Sequence, residues 1–192
     1  MIQILLNTHT LPYTEFWGYN NKMPIDTYIP IAKTVLSSNQ STVTFSSISG
    51  SYTDLVLVIS TAGSSANLQA YIRFNNSSSN IYSVTEISGN GTTVSSYRTT
   101  STGEISLSPS VAMHTTLGQG QYIVNILNYA NTTTNKTALI RTGGLGATYQ
   151  GTAAVVGLWR STAAIDRIDI KTDVGNFVAN STFTLYGIHG VI

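Results

Sequence analysis

Short runs rich in β-branched and aromatic residues, separated by clusters of Ser, Asn and Gly, occupy most of this 192-residue chain from Tyr28 onward. Such regular punctuation is typical of an all-β sandwich or barrel. No stretch keeps an apolar period of 3.6 residues with helix caps, and only residues 109–114 leave room for a short helical turn. The sequence therefore predicts an all-β fold: an antiparallel, jelly-roll-like β-sandwich with an extended N-terminal arm.

The punctuation places twelve predicted strands along the chain. They are assigned to residues 28–36, 42–46, 54–61, 67–74, 82–87, 92–98, 104–107, 121–128, 137–141, 153–160, 164–171 and 181–188. Turns are predicted at the polar and glycine-rich segments 75–80, 89–91, 131–135 and 143–144.

The apolar pattern differs between these strands. Residues 55–59 are apolar at every position, which predicts a central strand covered on both faces. Val43 and Phe45 alternate with threonines, and Ile168 and Ile170 alternate with charged residues. Both of these segments are therefore predicted to have one wet face.

The chain carries few charges. Lys and Arg number 9 and Asp and Glu number 8, a formal net charge of +1, whereas Ser, Thr and Asn together make up 66 residues. An apolar fraction of 42% argues against a disordered chain. The small net charge argues against a nucleic-acid partner. The absence of Cys excludes a disulfide framework, a thiolate nucleophile and Cys-ligated zinc.

No apolar stretch reaches the roughly 20 residues that span a bilayer. The apolar run that follows Met1 is shorter than a secretory h-region, and no basic n-region precedes it. We therefore expect a soluble protein, made without an export signal and with no membrane partner.

Residues 1–27 are predicted to form the extended arm, and residues 28–192 the β-sandwich domain. Prolines 12, 24 and 30 disfavour both a helix and a central strand in this region. Ordering such an arm costs backbone entropy, which clustered aromatic contacts with a partner surface can offset. The candidate interface residues are Leu5, Leu6, Tyr13, Phe16, Trp17 and Tyr19. The alternative is an arm that folds back over one end of its own sandwich.

Residues that could bind a metal or a phosphate are scattered. The three histidines lie in separate segments, at His9, His114 and His189, so no shared metal site is predicted. Asp166, Asp169 and Asp173 lack the spacing of a calcium loop, and the first two fall on a predicted strand. The glycine-rich residues 143–146 lack the Lys and the helix of a phosphate-binding loop.

Catalytic patterns are equally sparse, and no catalytic residue is predicted. Glycoside hydrolysis needs two facing carboxylates, for which Glu86 with Glu104, or Asp166 with Asp169, are the available pairs. Asp169 shares a strand face with Arg167, which predicts a solvated, charge-balanced face instead.

Binding remains open at the aromatic residues of the domain. Tyr and Trp rings serve as platforms for sugar rings, and they also form the centres of subunit interfaces. The candidate platforms are Tyr71, Tyr82, Tyr97, Tyr122, Tyr129, Tyr149 and Trp159. Sequence alone does not separate the two uses.

A series of short motifs follows in order between residues 28 and 188. They are YIPIAKTVL at 28–36, VTFSSI at 43–48, YTDLVL at 52–57, IRFN at 72–75, NIYS at 80–83, NYA at 128–130, GLWRSTAAI at 157–165 and FVANSTFTLYGI at 177–188. Together they resemble a family of β-sandwich virion proteins of tailed phages.

Within that family the chain is most similar to the capsid cement, or decoration, proteins of cyanobacterial phages. The resemblance implies a homotrimer on the outer capsid surface of the virion, which clamps neighbouring capsomers of the major capsid protein and needs no cofactor. The arm residues would then contact neighbouring subunits or the capsid. The alternatives are a tail-fibre or receptor-binding domain that recognises a host surface glycan, and a polysaccharide depolymerase.

Overall fold

The computed structural model describes residues 27–65, 68–117, 120–144 and 151–189, and these form twelve strands and no helix. The strands are β1 (Tyr28–Val35), β2 (Thr42–Phe45), β3 (Asp54–Thr61), β4 (Ala70–Phe74), β5 (Tyr82–Gly89), β6 (Val94–Thr102), β7 (Ile105–Ser106), β8 (Gly120–Leu127), β9 (Lys136–Gly144), β10 (Gly151–Trp159), β11 (Ile168–Thr172) and β12 (Thr182–Ile188). All twelve predicted strands are present, and they form two antiparallel sheets packed as a sandwich. Within the described ranges, no helix is long and apolar enough to cross a membrane.

Eight of the strands follow the order of a jelly roll. β1 pairs with β12, β2 with β11, β3 with β8, and β4 with β7. This antiparallel ribbon of paired strands is rolled into two four-stranded layers, β1-β12-β3-β8 and β2-β11-β4-β7.

Two hairpins widen one of these layers. The β5–β6 hairpin lies between β4 and β7 in the chain, and β9–β10 lies between β8 and β11. Both join the first layer beyond β8, giving a large sheet of order β1-β12-β3-β8-β9-β10-β5-β6. β7, the edge of the small sheet, contacts β5 and β10. The inner face of β6 therefore extends past the edge of the small sheet.

The core lies between the two sheets, and strand β3 is central in the large one. Leu55, Leu57 and Ile59 point into the core and are fully buried. On the outer face, Val56 is buried and Val58 is half-buried between β12 and β8. The prediction of a central strand at residues 55–59 is confirmed.

Three aromatic side chains fill one end of the core. The centroid of the Trp159 ring lies 5.6 Å from that of Phe74 and 6.1 Å from that of Tyr82, on which the Trp159 ring stacks. The Tyr82 hydroxyl donates to the Phe74 carbonyl oxygen at 3.3 Å and accepts from the Phe74 N–H at 3.1 Å. This cluster joins β4 of the small sheet to β5 and β10 of the large one.

Asparagines form the predicted turns between strands. Asn90 Oδ1 accepts hydrogen bonds from the backbone N–H groups two and three residues later, which closes the β5–β6 turn. Asn131 does the same between β8 and β9. Asn75 and Asn76 adopt positive φ angles of 51° and 53°, which Asn tolerates better than most residues.

Two local predictions are wrong. Residues 109–114 form no helical turn, because Met113 N donates to the Leu68 carbonyl oxygen and the Met113 side chain enters the core. Gly143 and Gly144 form no turn either. They end β9, where Gly144 pairs with glycines of β8 and β10, so a strand continues where the composition indicated a break.

Candidate functional site

A cleft of ≈ 660 Å³ lies where the outer face of the small sheet meets the inner face of β6. Tyr71 and Arg73 extend into it from β4, at the strand positions that alternate with buried residues. Tyr97 and Thr99 line it from β6, and Glu104 from the connection to β7. We call this the Tyr71–Tyr97 cleft.

Glu104 lies within ion-pair distance of two cationic side chains beside the cleft. Its Oε2 accepts a hydrogen bond from Lys171 Nζ at 3.1 Å. Arg73 Nε lies 2.9 Å from the same oxygen, but this buried nitrogen makes no hydrogen bond with any of the described residues. The Arg73 contact is therefore an ion pair by distance and not a hydrogen bond.

The two tyrosines differ in their surroundings. Tyr97 is 43% exposed, whereas Tyr71 is half-buried with Lys171 Nζ 5.8 Å from its ring centroid. Burial, and then the negative charges of Asp173 and Glu104, raise the pKa of Tyr71 above its ordinary value. The Tyr71 hydroxyl therefore remains protonated at neutral pH and available as a donor.

The other end of the cleft is fixed by hydrogen bonds. Asp173 Oδ1 accepts from the backbone N–H of Gln69 at 3.1 Å and of Val174 at 2.8 Å. The Gln69 side chain donates to the Pro109 carbonyl oxygen at 2.8 Å and accepts from Ser106 Oγ at 3.2 Å. These polar groups are held in place without a ligand.

Of the six predicted aromatic platforms that the structure describes, Tyr71 and Tyr97 line this cleft. The prediction is wrong for four residues that lie in the core and are at most 3% exposed, namely Tyr82, Tyr122, Tyr129 and Trp159. Three of these occupy inward-facing strand positions, which removes their ring faces from solvent. Tyr149 lies outside the described residues.

The carboxylate pair Glu86 and Glu104 does not share the cleft. Glu86 is buried on β5, where it accepts hydrogen bonds from Ser108 Oγ and Ser110 N, both at 3.2 Å. Of this pair, only Glu104 lines the cleft, and it is paired with Lys171 and Arg73. The structure therefore gives each carboxylate its own partners.

Arg167 and Asp169 share a face, as predicted, but the expectation of a solvated face is wrong. Asp169 is 4% exposed. It accepts hydrogen bonds from Arg167 Nη2 at 2.8 Å and from Thr44 Oγ1 at 2.7 Å. These bonds replace water around the carboxylate, while the exposed Asp166 takes no part in this network.

The histidines lie apart from this network. His114 lies between β7 and β8, and His189 follows β12. The centroid of the His189 ring lies 5.2 Å from that of Tyr52. His9 lies outside the described residues. Across the four described ranges, no three His, Asp or Glu side chains are close enough to hold a metal ion.

The six candidate interface residues of the arm also lie outside the described residues: Leu5, Leu6, Tyr13, Phe16, Trp17 and Tyr19. Their contacts remain predictions. The described chain enters the large sheet at Tyr28, in the edge strand β1.

A second surface was not predicted from the sequence. The outer face of the large sheet carries apolar side chains that are between 37% and 63% exposed. We call this the outer-face patch, and its members are Ile87, Ile123, Leu127, Leu139 and Val156. The signal in the sequence was the run of consecutive apolar residues in β8, β9 and β10, which makes both strand faces apolar.

Cross-strand pairing joins part of the outer-face patch directly. Leu139 pairs with Val156, and Val156 pairs with Thr85, which in turn pairs with Arg98. Arg141 lies in the neighbouring row, between β8 and β10. A depression of ≈ 470 Å³ lies over this part of the sheet.

No protein-family model, curated protein or solved structure matches the chain. The Tyr71–Tyr97 cleft and the outer-face patch are therefore the features from which a function is inferred.

Proposed function

We propose that this protein is a cement, or decoration, protein of a tailed-phage head. It forms a homotrimer on the outer capsid surface and binds the major capsid protein across neighbouring capsomers. It acts by holding surfaces together and uses neither a catalytic step nor a cofactor. The resemblance of residues 28–188 to phage virion proteins supports the proposal, and the outer-face patch is the structural observation that carries it.

The outer-face patch has the chemistry of a protein-binding surface. The wet face of an antiparallel sheet is normally polar, and a cluster of exposed apolar side chains marks an interaction site. Arg98 lies in the row of Leu139 and Val156, beyond Thr85. Arg141 lies in the neighbouring row, between Ile123 and Ala154. A complementary partner has apolar side chains with carboxylates placed to meet these two cations. We assign that partner surface to the major capsid protein.

The arm supplies a second contact in this proposal. Its 26 residues before Thr27 reach up to about 90 Å when extended, which is enough to cross to a neighbouring subunit or capsomer. Leucine and aromatic side chains suit a contact that must offset the entropy of ordering the arm. Two weak contacts on one chain, repeated in a trimer, bind together more tightly than either does alone.

Binding of the full-length protein to undecorated capsids tests the outer-face patch. Val156→Glu is expected to weaken binding at least about tenfold, because the carboxylate must be desolvated against an apolar partner. The matched control is Val174→Glu, at a valine that is 65% exposed after β11, and it is expected to bind as the wild type does. Unchanged binding of Val156→Glu, or equal losses in both variants, would contradict the role of the patch.

Deletion of residues 1–26 tests the arm. The shortened chain retains all of β1, and it is expected to remain a folded trimer by light scattering while losing capsid binding. Normal capsid occupancy by the shortened chain would refute the arm's role, and a monomeric wild-type protein would refute the trimer.

A tail-fibre or receptor-binding domain is the second candidate, and the Tyr71–Tyr97 cleft favours it because tyrosine rings beside polar groups suit a glycan. Copy number in purified particles separates the two candidates. Hundreds of copies per virion indicate capsid decoration, whereas a few to a few tens indicate a tail component.

A further inference from the structure

We propose that the Tyr71–Tyr97 cleft binds a neutral saccharide, with a sugar ring packed on Tyr97 and its hydroxyl groups bonded to Arg73, Glu104 and Asp173. The cleft and the outer-face patch lie on opposite faces of the large sheet, since Tyr97 and Arg98 point to opposite sides of β6. The saccharide site is therefore independent of the proposed capsid contact.

The cleft has the size and construction of a ligand site. Its volume of ≈ 660 Å³ falls within the range of roughly 300–1,000 Å³ that is common for small-molecule sites. It lies between two sheets, and backbone pairing fixes both: β4 pairs with β11, and β6 pairs with β5. The side chains that line it therefore project from rigid elements.

The charges around the cleft favour a neutral ligand. Arg73 and Lys171 are balanced by Glu104 and Asp173, and Glu104 lies within ion-pair distance of both cations. A phosphate or sulfate group would gain no net attraction here, because each cation has a carboxylate nearby. Sugar hydroxyl groups both donate and accept, so they match carboxylate acceptors and guanidinium donors at once.

Arg73 has hydrogen-bonding capacity that the protein does not use. Its side chain is 27% exposed, and its buried Nε donates no hydrogen bond to a described residue. The Nη groups of the guanidinium carry four further N–H donors. Because the side chain is partly exposed, these donors can meet a ligand oxygen, which makes Arg73 the expected polar anchor.

Tyr97 is the ring left free for a sugar. Lys171 lies over the ring of Tyr71 and already occupies one of its faces, whereas Tyr97 is 43% exposed on the edge strand β6. The C–H face of a pyranose ring packs on such an aromatic surface. At the far end, the bonds of Gln69 to Ser106 and Pro109 hold the polar lining in place before binding.

Saturation-transfer NMR with the full-length chain tests the site. The probes are methyl glycosides of glucose, galactose, mannose and N-acetylglucosamine, together with short neutral oligosaccharides of the same sugars and a sulfated oligosaccharide for comparison. We expect at least one probe to bind, and Tyr97→Ala to weaken its binding at least about tenfold. Tyr97→Phe, which keeps the ring, is expected to bind within about threefold of the wild type.

The matched control is Tyr28→Ala, at a tyrosine that is 56% exposed on the opposite edge of the same sheet. It is expected to leave saccharide binding unchanged, and thermal unfolding confirms that each variant is folded. Binding of none of the probes, equal binding by Tyr97→Ala, or preferential binding of a sulfated oligosaccharide would overturn the assignment. Because no capsid is present, these outcomes are separate from a failure of the proposed capsid contact.

Discussion

The ring of Tyr52 packs directly on the backbone of Gly187 in β12. A Cβ atom at position 187 would lie 2.7 Å from Tyr52 Cδ2 and closer still to two other ring atoms. The Tyr52 ring is also in contact with the ring of His189, so it has little freedom to move aside. Gly187 is required here by close packing and not by its backbone conformation.

We therefore expect Gly187→Ala to lower the free energy of unfolding by about 1–3 kcal/mol through overpacking. The matched control is Gly143→Ala in β9, where an added Cβ meets no atom of the described residues within 4 Å, and we expect a change within about 0.5 kcal/mol. Chemical denaturation measures both variants. Equal free energies of unfolding for the two variants would contradict the packing argument.

Because Tyr122 is buried, the free energy of unfolding is expected to fall at alkaline pH. Burial raises the pKa of Tyr122 from 10.0 to about 12, so the folded protein keeps this proton while the unfolded chain loses it. Stability is therefore complete below pH 10, and roughly 3 kcal/mol is lost as the pH rises to about 12. Tyr122→Phe is expected to reduce this loss, as measured by the free energy of unfolding between pH 9 and 12. An equal loss in the wild type and in Tyr122→Phe would argue against this role of Tyr122.

Lys136 makes the free energy of unfolding change with pH in the opposite direction. Its side chain is inaccessible to solvent, and its Nζ donates to two backbone carbonyl oxygens, of Thr134 at 2.7 Å and Thr162 at 3.2 Å. Burial lowers the pKa of Lys136 below its ordinary 10.5. Between the two pKa values the unfolded chain binds more protons, so this group makes stability rise with pH until about 10.5.

We expect Lys136→Met to remove that rise, because methionine fills similar space without a charge. The measurement is the free energy of unfolding from pH 7 to 10.5 for Lys136→Met and the wild type. Since Tyr122 is unchanged in both proteins, the difference between the curves isolates the lysine. A constant difference across this range would show that Lys136 does not titrate differently on unfolding.

Trp159 is buried against Phe74 and Tyr82, yet its Nε1 donates no hydrogen bond within the described part of the chain. Trp159→Phe therefore loses packing but no hydrogen bond, and we expect a cost of about 1–2 kcal/mol, against about 3–5 kcal/mol for Trp159→Ala. Thermal and chemical denaturation measure both. Trp159→Phe also leaves Trp17 as the one tryptophan of the chain, so a change in its fluorescence on capsid binding reports directly on the arm.

The positions of the strands could be predicted because their signals are local. Runs of β-branched and aromatic residues mark the strands, and Asn90 and Asn131, which accept hydrogen bonds from the residues that follow, close two of the turns. β11 begins at Ile168 and not near residue 164, because Ile165 N donates to the Tyr129 carbonyl oxygen instead of joining the sheet. The distribution of strands between sheets was not predictable, since nothing in β5 or β9 indicates that both hairpins extend the same layer.

The cleft could be identified only from the folded structure and not from the sequence. Tyr71 and Tyr97 belong to different sheets, and Asp173 comes from a third part of the chain. No spacing in the sequence brings these three residues together. The alternation of strand faces, however, would have removed Tyr82 and Tyr122 from the predicted platforms. Tyr82 lies on the same inward face of β5 as Val84, and Tyr122 lies on the same inward face of β8 as Val124.

The position of β12 between β1 and β3 also determines when this domain can finish folding. Until β12 is available, β1 has no hydrogen-bonded neighbour in its sheet and β3 presents an open edge. The pairing joins segments from opposite ends of the domain, which makes folding slow by topology. During synthesis, the nascent chain therefore carries an apolar strand, Leu55–Ile59, with one open edge that can associate with other chains until β12 pairs with it.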